Sequence, residues 1–173
     1  MKKISFDTIA RALHDAQVPF LVVGGIAVIH HGYGRVTQDI ELVIRLERET
    51  ILRAFQALAA AGYRPAVPIS AEQFADRVLR EAWKREKCMK VLKFWSEKHR
   101  ETPLDVFIEE PFDFPTEYAA AAVRESLPGL PVHIVSLPTL LAMKREADRP
   151  QDLADVDELN LLHGRPSSYD QET

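Results

Sequence analysis

A single cysteine, Cys88, occurs in the 173 residues, so no internal disulfide can staple the fold. That suits a reducing compartment, and the cytoplasm is the expected location. Glycine and proline are scarce, at 7 and 11 residues, which excludes collagen-like and low-complexity architectures. Positive charge is not in excess either: 22 Lys and Arg face 26 Asp and Glu, a net charge of -4. No overall field draws the chain onto nucleic acid, and any such contact needs a local basic patch. Long apolar runs are missing too. The run Pro19–Ile29 carries Gly24 and Gly25 and is shorter than the ~20 residues of a membrane-spanning helix. Behind Lys2 and Lys3 it has the outline of a secretory leader, but Asp7, Arg11, His14 and Asp15 intervene and no small-residue cleavage site precedes His30. A soluble chain with no membrane partner is expected.

What is present is ordinary globular composition, 46% hydrophobic and 28% charged, in a length that fits one domain of roughly 100–200 residues. Ile9, Ala12, Leu13 and Ala16 mark a short helix with Ser5 as its N-cap. Phe20-Leu21-Val22-Val23 reads as a buried strand, Ile26–His31 as a short helix closed by Gly32, and Asp39–Ile44 as a second strand with Ile40, Leu42 and Ile44 on one face. Helices are expected over Glu47–Ala61, with Gly62 at its C-cap, and over Ala71–Arg85. Met89–Trp95 and Pro103–Ile108 read as a hairpin, Pro115–Ser126 as an alanine-rich helix, Val132–Val135 as a strand, and Pro138–Ala147 and Gln151–Leu162 as helices. The pattern predicts an α/β (α+β) chain with a mixed sheet of four to five strands flanked by helices. One domain spans 1–162, with a core over about 18–110, a C-terminal helical part over 115–162 and a frayed tail over 163–173.

Asp39 and Glu41 are two apart in a strand, so the period of two aims both carboxylates at one face while Ile40 and Leu42 anchor the other. Asp105 stands in the same way against Leu104, Val106 and Ile108, and neighbouring strands would bring the three together. Carboxylates packed this closely repel and raise one another's pKa, a penalty that a divalent cation reverses. Three such groups suit Mg²⁺ or Mn²⁺, hard cations that prefer oxygen ligands. The alternative is equally open: the solvated face of an edge strand alternates in the same way. Gly24 and Gly25, between a strand and a short helix, let the backbone come close to a ligand and offer NH groups to phosphate, or simply make a tight turn.

Val23-Gly24-Gly25, thirteen residues, then Asp39-Ile40-Glu41-Leu42 together resemble the signature of the nucleotidyltransferase fold shared with DNA polymerase β. Gly24-Gly25-Ile26-Ala27-Val28 through Gly32, Arg35, Thr37 and Asp39 is similar to the bacterial and archaeal branch that includes AbiEii-type toxins of toxin–antitoxin systems. Leu140-Leu141-Ala142-Met143-Lys144, with Arg149, Asp152 and Asp155, resembles the C-terminal helices of that branch. Glu41 stands where that branch commonly has Asp, and Gly25 where many relatives have Ser.

The resemblance implies a metal-dependent transfer of a nucleoside monophosphate from a nucleoside triphosphate, such as ATP, to a hydroxyl of an RNA, a protein or a small molecule. It implies Asp39, Glu41 and Asp105 as metal ligands, with Asp105 activating the acceptor hydroxyl, and Gly24 and Gly25 under the triphosphate. Lys144 would reach the phosphates, with Arg35 and Thr37 beside them. Two cations would act in an in-line displacement at the α-phosphate, and a cognate antitoxin would be a partner. Bland readings exist for each: Arg35 as a loop ion-pair partner, Lys144 as a solvated helix residue, Thr37 as a local cap. A nucleotide- or partner-binding module with weakened catalysis, marked by Glu41, is the alternative function; a metal-dependent nuclease has less need of the glycine pair.

Three other features read as structural. His30-His31 lack metal-ligand spacing and suit a helix end, and Cys88 suits the core or a strand. Lys84, Arg85, Lys87, Lys90, Lys93 and Lys98 interleave with Trp83, Phe94 and Trp95. That stretch suits a nucleic-acid acceptor by backbone contact and stacking, or a solvated face, since Glu81, Glu86 and Glu97 dilute it.

Overall fold

The computed structural model of the chain describes residues 1–164. Helix α1 (Lys3–Asp15) leads into β1 (Phe20–Val23), α2 (Gly24–His30), β2 (Ile40–Ile44), α3 (Arg48–Ala60), the short β3 (Arg64–Pro65), α4 (Ala71–Ala75) and α5 (Arg77–Lys87). Then come β4 (Val91–Trp95), β5 (Leu104–Phe107), α6 (Phe114–Ala120), β6 (Ala122–Leu127), β7 (Leu130–Ile134), α7 (Leu137–Ala147) and α8 (Pro150–Leu162). Seven strands form one mixed sheet in the order β3-β4-β5-β2-β1-β7-β6, so the expectation of four to five strands falls short.

Strand alternation fixes what each face of the sheet does. Ile40, Leu42, Leu92, Phe94, Leu104 and Val106 project to one side and are buried. There Phe94 meets Phe55 of α3 at 5.3 Å between ring centroids, and Phe55 meets Phe74 of α4 at 5.4 Å. On the other side, α2 packs on β1, β2 and α7, and α7 packs on α8. The two faces are therefore unequally covered: over β4 that second side carries half-buried Val91 and exposed Lys93 and Trp95.

Three differences from the sequence reading have identifiable physical causes. Helix α1 starts at Lys3, and Ser5 is buried inside it, its hydroxyl 2.9 Å from His99 Nδ1 instead of capping the helix. The helix expected over 71–85 breaks at Asp76, whose carboxylate accepts from the Val78 and Leu79 amides at 2.8 and 3.3 Å and starts α5 afresh. The helix expected over Pro115–Ser126 is α6 followed by strand β6. Pro128-Gly129, with Gly129 at φ +72, closes a hairpin that pairs Leu127 with Leu130; the ladder with β7 outweighs the helix propensity of Ala119–Ala122. The C-terminal part is thus strands and helices together. Of the expected frayed tail, 165–173 lie outside the described residues.

Candidate active site on the sheet beneath the Gly24-Gly25 turn

Parallel pairing of β2 with β5 sets Glu41 against Asp105 and Ile40 against Leu104. Paired residues of neighbouring strands face the same way, so the two carboxylates share a face, and Asp39 enters β2 just before them. The hairpin expected between β4 and β5 is present, and it sets Lys93 against Asp105. Lys93 Nζ lies 3.5 Å from Asp105 Oδ1. Asp105 is 8% exposed, and its Oδ1 is closed off from solvent and accepts no hydrogen bond.

Gly24 and Gly25 begin α2 at the edge of this face. Gly24 has φ +62, a left-handed conformation natural to glycine, and a Cβ there would lie 1.6 Å from Glu41 Oε2. Glu41 bends back beneath the turn and accepts from the Gly25 amide at 3.2 Å. A Cβ on Gly25 would lie 2.5 Å from Thr37 Oγ1 and 2.9 Å from Arg35 Nη2. A Cβ on either glycine would therefore displace a neighbouring side chain, a carboxylate at Gly24 and the loop before β2 at Gly25. Thr37 Oγ1 in turn stands 3.4 Å from Asp39 Oδ1 and from the Asp39 carbonyl.

Burial, with the charge of Asp39 added, pushes the Glu41 carboxyl up from its ordinary value; the Gly25 amide and the charges of Lys144 and Arg149 pull the other way. Burial likewise pushes Asp105 up, Lys93 opposing it and Asp39 adding to it. Burial and the charge of Asp39 thus hold both carboxyls up against the pull of the nearby cations. Among the described residues no three His, Cys, Asp or Glu side chains form a ready-made metal cage, and Glu41 is turned to the Gly25 amide. The donor chemistry still fits a hard divalent cation: Glu41 and Asp105 share a face, Asp39 stands one position before β2, and an Asp105 oxygen accepts no hydrogen bond, with Lys93 at 3.5 Å.

Lys144 on α7 is 4% exposed. Its Nζ lies 2.9 Å from Asp152 Oδ1 and 2.6 Å from Asp155 Oδ2, both on α8. Arg35 reaches the other oxygen of Asp155 at 3.1 Å, and Arg149 holds Asp152 at 2.5 Å. Burial acts upward on Asp152, but hydrogen bonds from Arg149 and Lys144 leave it below the ordinary range. This network ties the loop before β2 to α7 and α8. Arg149 contributes to the potential at both Asp39 and Glu41, and Lys93 and Arg149 are the cations that the spacing of the carboxylates gave no means of placing beside them.

The remaining candidates lie elsewhere. His31 Nε2 is 2.8 Å from the Val135 carbonyl, which is a structural contact. Cys88 is exposed, not core or strand, and occupies the left-handed C-cap of α5 at φ 50. The basic and aromatic stretch is split: Lys84 pairs with Glu109, Arg85 with Glu86, and Phe94 is in the core. A groove of about 970 Å³ between α1 and α3 includes none of the candidate residues.

No protein-family model and no curated protein matches the chain. Among solved structures it is similar to the lincomycin-bound lincosamide antibiotic adenylyltransferase LnuA, with a TM-score of 0.60 and 14% identity over 92% of this chain and 97% of that one. It is also similar to JHP933 from Helicobacter pylori, with a TM-score of 0.50 and 14% identity over 90% of this chain and 62% of that one. At such identity the likeness is one of fold, and the fold is shared with that adenylyltransferase. Among the described residues no helix is long and apolar enough to cross a membrane.

Proposed function

We propose that this chain is a metal-dependent nucleotidyltransferase, moving a nucleoside monophosphate from a nucleoside triphosphate to a hydroxyl. The observation that carries the reading is the register of β2 on β5, which sets Glu41 beside Asp105 and close under the Gly24-Gly25 turn, with Asp39 one position before β2. Asp39, Glu41 and Asp105 would hold Mg²⁺ or Mn²⁺, which when bound neutralises phosphate charge and polarises the reacting oxygens. Glu41 would have to swing from the Gly25 amide to join the set, freeing that amide to face phosphate.

In the transfer itself the acceptor oxygen attacks the α-phosphorus, the bond from that phosphorus to the bridging oxygen breaks, and pyrophosphate leaves. Asp105 takes the acceptor proton. Gly24 and Gly25 keep side chains out of the triphosphate's path. Arg35 and Lys144 supply positive charge on that side while their pairing with Asp155 fixes the loop. The AbiEii-type resemblance extends the proposal to a toxin acting in the cytoplasm with a cognate antitoxin, and the acceptor to an RNA, a protein or a small molecule. ATP is a candidate donor.

One observation favours a second reading: Glu41 already has a partner in the Gly25 amide. A carboxylate satisfied in this way is a poorer ligand, and the chain would then be a nucleotide- or partner-binding module with weakened catalysis. Melting temperature measured with Mg²⁺ and each nucleoside triphosphate, for the native chain and Asp39→Asn, tests the donor site. Ligand at about 100 times its Kd adds ~2.7 kcal/mol, or roughly 5–11 °C for a chain of this size. A shift that needs metal and triphosphate and is lost in Asp39→Asn supports the donor site. No shift with any triphosphate removes it.

A further inference from the structure

The open face beyond the carboxylates carries an aromatic and two cations in register. Lys93 lies in the row of Asp105 and Glu41. Two residues along β4, Trp95 points the same way and is 46% exposed, and Arg64 of β3 pairs with it. Arg64 is exposed and, among the described residues, its guanidinium has no hydrogen-bond or ion-pair partner. Extending the β4–β5–β2 register by one position sets Pro103 between Trp95 and Asp39, consistent with the Ile40 amide donating to the Pro103 carbonyl at 3.0 Å. Trp95 is then two strand spacings, or about 10 Å, from Asp39. Trp83, by contrast, is partly buried against the core.

We infer that Trp95, flanked by Arg64 and Lys93, is the platform that binds the acceptor, and that the acceptor is the free end of a single-stranded polynucleotide. This rests on the transfer reading above. There the triphosphate lies on the Gly24-Gly25 side, over β1 and β2, so the acceptor enters across β5 and β4, where the face is open. A large aromatic left half-exposed between two cations complements a planar group bearing negative charge. A single strand presents both repeatedly, unstacked bases for Trp95 and phosphates for Arg64 and Lys93. Within β4 and β3 this face bears no acid: β4 contributes Val91, Lys93 and Trp95, and β3 contributes Arg64, with exposed Glu97 following beyond the end of β4. A duplex keeps its bases inside and does not meet this chemistry. The net charge of -4 makes binding local, confined to this patch.

The test is fluorescence anisotropy of single strands of about 12 nucleotides, ribo- and deoxyribo-, labelled at the 5′ end with a free 3′ hydroxyl, titrated with the full chain. The two strands tell which sugar is preferred. Trp95→Ala weakens binding by about 5- to 150-fold, and Trp95→Phe restores most of it. Arg64→Ala lowers the slope of log affinity against log salt by about 0.7. Equal affinity in native chain and Trp95→Ala overturns the platform, as does equal competition by a duplex or preferential binding of a protein acceptor. The melting shift with Mg²⁺ and triphosphate is read in parallel. If that shift is present and no strand binds, the platform is wrong and the transfer reading stands. If strands bind through Trp95 and the shift is absent, the platform stands and the transfer reading fails.

Discussion

Gly24→Ala probes how Glu41 is held, and its effect can be built from two separate terms. The first is conformational: Gly24 sits at φ +62, and an L-residue in that region costs about 1–2 kcal/mol. The second is steric: the new Cβ would fall 1.6 Å from Glu41 Oε2 and 2.3 Å from its carboxyl carbon. That carboxylate is the end of a flexible side chain, so it moves aside. What is then lost is its hydrogen bond from the Gly25 amide, worth about 1.5–3 kcal/mol for a charged acceptor. The sum is about 2.5–5 kcal/mol, or roughly 5–20 °C in melting temperature. Urea unfolding of four chains separates the terms: native, Gly24→Ala, Glu41→Ala and the double variant. With Glu41 truncated only the conformational term remains, so Gly24→Ala costs about 1–2 kcal/mol in that background. The same cost in both backgrounds would refute the close approach of Glu41 to the turn.

The buried cation network and the raised carboxyls give further expectations. Lys144→Met leaves Asp152 and Asp155 buried without their shared ammonium. Breaking a buried pair costs about 3–5 kcal/mol, and because Arg149 and Arg35 remain the lower end, about 3 kcal/mol by urea unfolding, is expected; under about 1 kcal/mol would show that the network contributes little. The folded chain binds protons more readily at Glu41 than the unfolded chain does, so this group's stabilisation is complete below the ordinary value of 4.5 and is lost as pH climbs through the raised one. Glu41→Gln should therefore gain stability relative to the native chain as pH rises from 4.5 towards neutrality, measured as the difference in unfolding midpoints. A difference that stays flat or falls would contradict the burial argument.

The parts of the fold that sequence conveys well are those whose periodicity is set by one buried face. Ile40, Leu42 and Ile44 reveal β2 because the side opposite Glu41 is packed in the core. Strand β6 was illegible for the complementary reason. It lies at the sheet edge with Val123, Arg124 and Glu125 exposed, so no apolar alternation distinguishes it from the alanine run before it. The break at Asp76 is invisible for a similar reason: Phe74 is buried while Val78 is 71% exposed, yet their spacing suits one continuous helix. At the site, spacing alone suggests strand faces for Asp39, Glu41 and Asp105, and the pairing of β5 with β2 sets Glu41 beside Asp105. What spacing does not convey is long-range. Glu41 turned to the Gly25 amide, Lys144 enclosed by Asp152 and Asp155, and Arg35 reaching Asp155 all depend on how α2, α7 and α8 dock.

Transfer of the α-phosphate is the central claim, and the fate of its label tests it most directly. The native chain is incubated with Mg²⁺, triphosphate labelled at the α-position, and RNA, protein and small-molecule fractions in turn, with pyrophosphate measured alongside. The account predicts label stably joined to one fraction, one pyrophosphate released for each label joined, and neither in Asp39→Asn. Label left in free nucleotide while only orthophosphate is released, or equal labelling by Asp39→Asn, would contradict it.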